Sequence, residues 1–132
     1  MKKLLPLLPL MILLVLPAAR AEEEAPGSGT LYVELSPSFI TNYIAPQIRH
    51  FKADVTLMVE NNATADAVNR NQPYIRNNLV MLFSRQTEDA LQSPEGRQHL
   101  KEEALQEVLN ALEAESEPTG VKEVLFTSFI VD

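Results

Sequence analysis

The last twelve residues, VKEVLFTSFIVD, constrain the fold more than any other stretch of the chain. Side chains alternate across a β-strand, so a half-buried strand is apolar at every second position. In a regular strand Val124, Phe126 and Ile130 would face one way and Leu125, Phe129 and Val131 the other. A strand apolar on both faces needs a cover on both. The pattern is met either by a central strand inside its own fold, or by a strand with helices on one face and a neighbouring molecule on the other.

The remainder must supply at least one cover. With 132 residues, 45% of them hydrophobic, the chain has room for one compact domain. Residues 1–21 read as an export signal. Lys2 and Lys3 give a positive start, Leu4 to Pro17 an apolar run, and Ala19-Arg20-Ala21 an A-x-A cleavage site, with the mature chain expected to begin near Glu22. The alternative is an uncleaved anchor. A run of that length spans roughly 21 Å as a helix, short of the ~30 Å hydrocarbon layer, and Pro6, Pro9 and Pro17 weaken it further. There is no cysteine, which excludes both disulfides and lipid attachment through a cysteine. Loss of residues 1–21 leaves eight basic residues against 18 acidic ones, a formal charge of −10. That balance excludes phosphate backbones and anionic lipid headgroups as expected partners.

EEEAPGSG, residues 22–29, reads as a flexible acidic linker, and residues 30–132 as the domain. LYVEL alternates as a strand and is expected to stop at Ser36-Pro37, while SFITNYIAPQI is compatible with an extended piece or a helical turn. FKADVTLMVE gives the cleanest strand: Phe51, Ala53, Val55, Leu57 and Val59 face one way, Lys52, Asp54, Thr56, Met58 and Glu60 the other. A short helix is predicted over Asp66 to Arg70. A half-buried helix is predicted over YIRNNLVMLFSRQTEDAL, opened by Pro73. A second main helix starts at the Ser93 cap with Pro94, where Gly96 is a weak spot. It carries Leu100, Ala104, Leu105, Val108, Leu109 and Leu112 on one face and Glu102, Glu103, Gln106, Glu107, Asn110 and Glu113 on the other. Strands first, two helices next and one strand last predict an α+β domain. Its small, mostly antiparallel sheet carries two main amphipathic helices packed on one face.

Reactive groups are scarce. His50 and His99 lie far apart, and Glu102, Glu103 and Glu107 sit on the polar face of a helix, where solvation accounts for them. No Gly-rich phosphate loop, H-E-x-x-H or G-x-S-x-G is present. No catalytic residue, metal or cofactor is expected. The cations are scattered and outnumbered, which argues against nucleic acid. An exported interaction domain is what remains.

Four pieces in order carry a resemblance: Pro73, Ile75 and Arg76 at a helix start; Glu95, Gly96 and Arg97 at a turn; the Leu109-Asn110 pair; and Val121, Val124, Phe126, Thr127 and Phe129 at the close. Over roughly Leu31 to Val131 the chain resembles the periplasmic domain of the FliL family of flagellar basal-body proteins. The resemblance implies a stomatin/SPFH-like α+β fold without catalytic activity, assembled as a homo-oligomeric ring around the stator units that support motility. It implies hanging from a single helix on the periplasmic side of the inner membrane, whereas the N-terminal run here reads as cleavable. Ser128 stands where family members often carry Asp, and Asp132 where they carry a polar amide. Under this reading Leu125, Phe129, Val131 and Arg76 are the candidate interaction residues, and a neighbour is the second cover for Leu125 and Phe129. The alternative is a periplasmic SPFH-like adaptor with no flagellar role, near the membrane by proximity or by an uncleaved anchor.

Overall fold

The computed structural model describes residues 30–132. The expected signal, its cleavage residues Ala19 and Ala21, and the linker over 22–29 lie outside them. The architecture is α+β: strands β1 (Leu31–Asn42) and β2 (His50–Val59), helices α1 (Asn62–Arg70), α2 (Gln72–Ser84), α3 (Glu88–Gln92) and α4 (Pro94–Ala114), then strand β3 (Val121–Val131). The sheet is antiparallel in the order β1-β2-β3, so the last strand pairs with β2 and forms one edge.

The alternation of β2 is realised as read. Phe51, Ala53, Val55, Leu57 and Val59 are all buried under the helices, and Lys52 and Glu60 are exposed. Against them the helices set Ile75, Leu79, Leu82 and Phe83 from α2 and Leu100, Ala104, Val108 and Leu112 from α4. Phe83 meets the edges of Phe39 and Phe51 at centroid separations of 5.5 and 5.3 Å, an arrangement favoured by the ring quadrupoles.

Three expectations are corrected. First, β1 does not stop at Ser36-Pro37 but runs on to Asn42. The pairing jumps from Leu35–Val55 to Phe39–Ala53, so a bulge absorbs Ser36, Pro37 and Ser38, and the proline needs no partner there. Because the shift keeps phase, Phe39 returns to the core beside Val33 and Leu35. Second, the helix expected over residues 74–91 is two helices. It breaks after Ser84, where the Gln86 carbonyl turns aside to accept from the Ile44 amide at 2.9 Å, and Thr87 caps a new helix by accepting from the Ala90 amide. Third, the short helix begins at Asn62, four residues before Asp66. Asn61 caps it by accepting from the Thr64 amide at 2.8 Å.

Two glycines are required by close approach. A side chain at Gly96 would strike the Ala90 carbonyl and Ser93 Oγ, so the position that weakens a free helix is what lets α3 abut α4. A Cβ at Gly120 would lie 2.6 Å from both the Glu60 side chain and Thr64 Oγ1. There the chain is pinned: the Gly120 amide donates to Thr64 Oγ1, and the Glu60 amide donates to the Gly120 carbonyl. Next to it Arg70 and Asn71 hold Glu117, with Arg70 Nη2 at 2.7 Å and Asn71 Nδ2 at 2.7 Å from the carboxylate. This clamp fixes where β3 starts.

Candidate functional site

The double-sided greasiness of the last strand has a local explanation. Val59 pairs with Val121 and Met58 with Glu123, so Lys122 is an extra residue; Val55 pairs with Phe126 and Asp54 with Ser128, so Thr127 is another. Each bulge advances the phase by one residue. Val121, Val124, Phe126, Phe129 and Val131 therefore all sit opposite core-facing residues of β2, on the helix side. The expectation that Phe126 and Phe129 point to opposite faces is corrected: their rings touch at 5.2 Å, and Phe129 packs on Phe51 at 4.7 Å. Leu125 and Ile130 remain on the other face.

That other face has no helix on it among the described residues. Tyr32 and Ile40 from β1 and Ile130 from β3 are more than half exposed there, interspersed with Glu34, Lys52 and Asp54. The second cover inferred for the terminal strand is thus required for far less apolar surface than the sequence suggested. A polar dish on this face, bounded by Glu34, Asp54, Thr56 and Thr127, is braced by a hydrogen bond from Ser38 Oγ to Asp54.

The richest surface lies at the free edge of β3. A cleft of roughly 530 Å³ is bounded by Leu125, Phe126 and Phe129 of the strand and by Gln92, Pro94, Arg97, Gln98 and Lys101 where α4 begins. Phe126 and Phe129 are only partly buried, because among the described residues no fourth strand or helix closes this side. Arg97 is exposed yet ordered. Its guanidinium stacks on the Phe129 ring at 4.4 Å while Nε donates to the Leu91 carbonyl at 2.9 Å. Lys101 is 2.7 Å from Glu123.

The candidate residues are not one patch. Leu125, Phe129 and Val131 share β3, with Val131 at the far end pairing with Phe51. Arg76 lies on the β1 side, its guanidinium 4.0 Å over the Phe39 ring and Nη2 at 3.5 Å from the Ser38 carbonyl. Nη1 is buried and meets no hydrogen-bond acceptor among the described residues, and this desolvation lowers the Arg76 pKa from the usual arginine value. At the clamp, Arg70 is pushed up by its hydrogen bond and charge interaction with Glu117. Glu117 is held below the ordinary carboxylate range by hydrogen bonds from Arg70 and Asn71. Arg97 and Lys101, which sequence reading treated as scattered charge, are brought to one cleft; the motif Glu95-Gly96-Arg97 carried that hint.

His50 lies 3.7 Å from the terminal Asp132 and His99 is exposed on α4, so the two histidines do not meet. Glu107 pairs with Arg85 at 3.5 Å, and Glu102 and Glu103 are exposed. Among the described residues no three acidic or histidine side chains gather as a metal site, and no helix is long and apolar enough to cross a membrane.

A three-stranded antiparallel sheet under a single helical layer, with its apolar cleft on an open edge, defines a small two-layer α+β domain. Residues 32–131 match the family model described as "Flagellar basal body-associated protein FliL". The flagellar protein FliL of Aquifex aeolicus is 33% identical over 113 residues, covering 85% of this chain and 68% of that protein. The flagellar protein FliL of Escherichia coli K12 is 32% identical over 77 residues, 58% of this chain, and the match spans half of that protein's length. The Shigella flexneri protein of the same name matches over the same shares. The chain belongs to the FliL family, and the resemblance read from its four motif pieces is confirmed.

Proposed function

We propose that this chain is a non-enzymatic accessory protein of the bacterial flagellar basal body, which works on the periplasmic side by associating with itself and with stator components. Family membership is the observation that carries the flagellar part. The binding part is supported by where the exposed features lie. Leu125 and the rims of Phe129 and Val131 are on the β3 side, Arg76 on the β1 side. Two different surfaces on opposite sides of one subunit suit head-to-tail contacts, the kind that close into rings. In this reading the mature chain begins near Glu22 after the signal over 1–21 is removed, and its domain over residues 30–132 is spaced by the linker over 22–29.

The test is a strain in which the gene is deleted and then restored with the natural chain or with Leu125→Asp. Leu125 is partly buried at the edge and lies opposite Thr56, off the helix-covered face, so its replacement leaves the core in place. Reduced swimming in the deletion strain, restored by the natural chain and not by the variant, is expected. Normal swimming in the deletion strain would overturn the flagellar reading. In the same cells, recovery of a chain of mature length in the periplasmic fraction is expected; a full-length membrane species would overturn the cleaved form.

A further inference from the structure

The chain carries an excess of acid, and four cations of the domain have a carboxylate close at hand. Arg49 meets Glu88, Arg70 meets Glu117, Arg85 meets Glu107 and Lys101 meets Glu123. Arg97 is exposed and, like Lys52 and Lys122, pairs with no carboxylate among the described residues, but it alone of the three is held by other contacts. It is held in one pose, because Phe129 supports the plane of the guanidinium and the Leu91 carbonyl fixes Nε. Neither terminal nitrogen makes a hydrogen bond or ion pair among the described residues. A planar, pre-ordered fork of this kind binds a carboxylate in bidentate fashion with little further loss of freedom.

The same cleft borders a row of backbone groups in need of partners. β3 pairs with β2 on one side only, and on the other side none of its amides or carbonyls is hydrogen-bonded among the described residues. The two edges of the sheet differ in this respect. β1 is blunted by Pro37 and by a bulge of three residues. Between the bulges at Lys122 and Thr127, β3 offers the regular run Glu123 to Phe126. Leu125, Phe126 and Phe129 add apolar surface beside that run.

We propose that this cleft receives an extended acidic segment of a partner protein, added as a short fourth strand along Glu123 to Phe126. An apolar side chain of the segment rests on Phe126 and Phe129, and a carboxylate is gripped by Arg97. This names the chemistry of the partner for the binding reading above and rests on that reading. Backbone pairing supplies affinity, and the arginine supplies the preference for acid.

The probe is fluorescein-labelled (Glu-Ser-Val-Ser)2, whose glutamates and valines share one face of a strand as the cleft requires, titrated with the purified chain and read by polarisation, with (Lys-Ser-Val-Ser)2 as control. Saturable binding of the acidic probe is expected, at least tenfold tighter than the lysine probe. Arg97→Glu is expected to weaken it tenfold or more, and Arg97→Ala to weaken it by a smaller factor. Probes N-methylated at every serine, or at every glutamate and valine, differ in which edge can pair; one of the two is expected to bind and the other not. Amide shifts in the complex should centre on residues 123–126. Equal binding of both charges, no binding of the acidic probe, no effect of either Arg97 variant, or shifts confined to another surface would each overturn the proposal. Lack of peptide binding in a protein that motility requires defeats the cleft alone. Peptide binding by a protein that motility does not require defeats the flagellar reading alone.

Discussion

Strands β2 and β3 are neighbours, of almost equal length and similar apolar content, yet they solve the burial problem in opposite ways. β2 alternates strictly, and every second residue from Phe51 to Val59 is buried. β3 has apolar residues at both odd and even positions but places five of its residues on the same helix-facing side by inserting Lys122 and Thr127 as bulges. Composition did not decide which face was covered; phase did. A strand that looks suited to burial on both faces can therefore be a one-sided edge strand whose ladder has been re-phased twice.

The largest expected effect comes from breaking that phase between the bulges. Deleting Leu125 draws Phe126 into the position opposite Thr56, on the open face, and brings Thr127 opposite Val55, on the core face. Loss of the partial burial of Phe126 costs about 1–2 kcal/mol, less than for a fully buried ring, and turning a hydroxyl into the core adds roughly 1–3 kcal/mol. A drop of about 2 kcal/mol or more in chemical denaturation is expected. A variant as stable as the natural chain would show that the pairing of β3 is not what holds Phe126.

The contrast also marks how far the sequence could be read. β2, α4 and the general α+β order were legible because their periods, 2.0 and 3.6, run unbroken through residues 51–59 and 100–112. β3 was legible as a strand but not as to face, since a period of 2 assumes that no residue is skipped and nothing in VKEVLFTSFIVD announces Lys122 or Thr127 as extra. The same blindness affected Ser36-Pro37, where a proline that commonly ends a strand sits in a bulge, and Ser84, where an Ile44 amide 40 residues away captures the Gln86 carbonyl. Leu125, Phe129 and Arg76 could be picked out by type. The cleft could not, because Arg97 and Phe129 meet only through the packing of α4 on the end of the chain.

A second difference between the strands is how each begins. β2 follows β1 through a short connection, whereas β3 is delivered by a clamp in which Glu117 accepts from Arg70 and Asn71. The Glu117 carboxyl titrates below its unfolded value. A depressed acid contributes stability that is complete above the unfolded pKa, near 4.5, and is lost as pH falls through the folded value. Hydrogen exchange at Val121 and Gly120 should therefore accelerate as pH falls below the mid-fours, beyond the intrinsic trend, while Val55 and Leu57 at the sheet centre stay protected. In Glu117→Gln this acid-specific acceleration should disappear. Parallel acceleration across both strands would mean that the clamp does not set the start of β3.

The smallest expected effect is the sharpest test of phase. Deleting Thr127 leaves Phe126 opposite Val55 and brings Ser128 opposite Asp54 with no residue to spare, so every existing pair and every face is retained. What is lost is one exposed side chain, with its long contact of 3.5 Å to the Asp54 carbonyl, and the local kink of a bulge. The midpoint of denaturation should move by no more than about 1 kcal/mol in either direction, the scale of surface changes outside special contacts. Deletion of Leu125, two residues away and likewise shortening the strand by one, should cost more. Equal costs for the two deletions would show that β3 tolerates length poorly wherever it is cut, and phase would then not be what distinguishes it from β2.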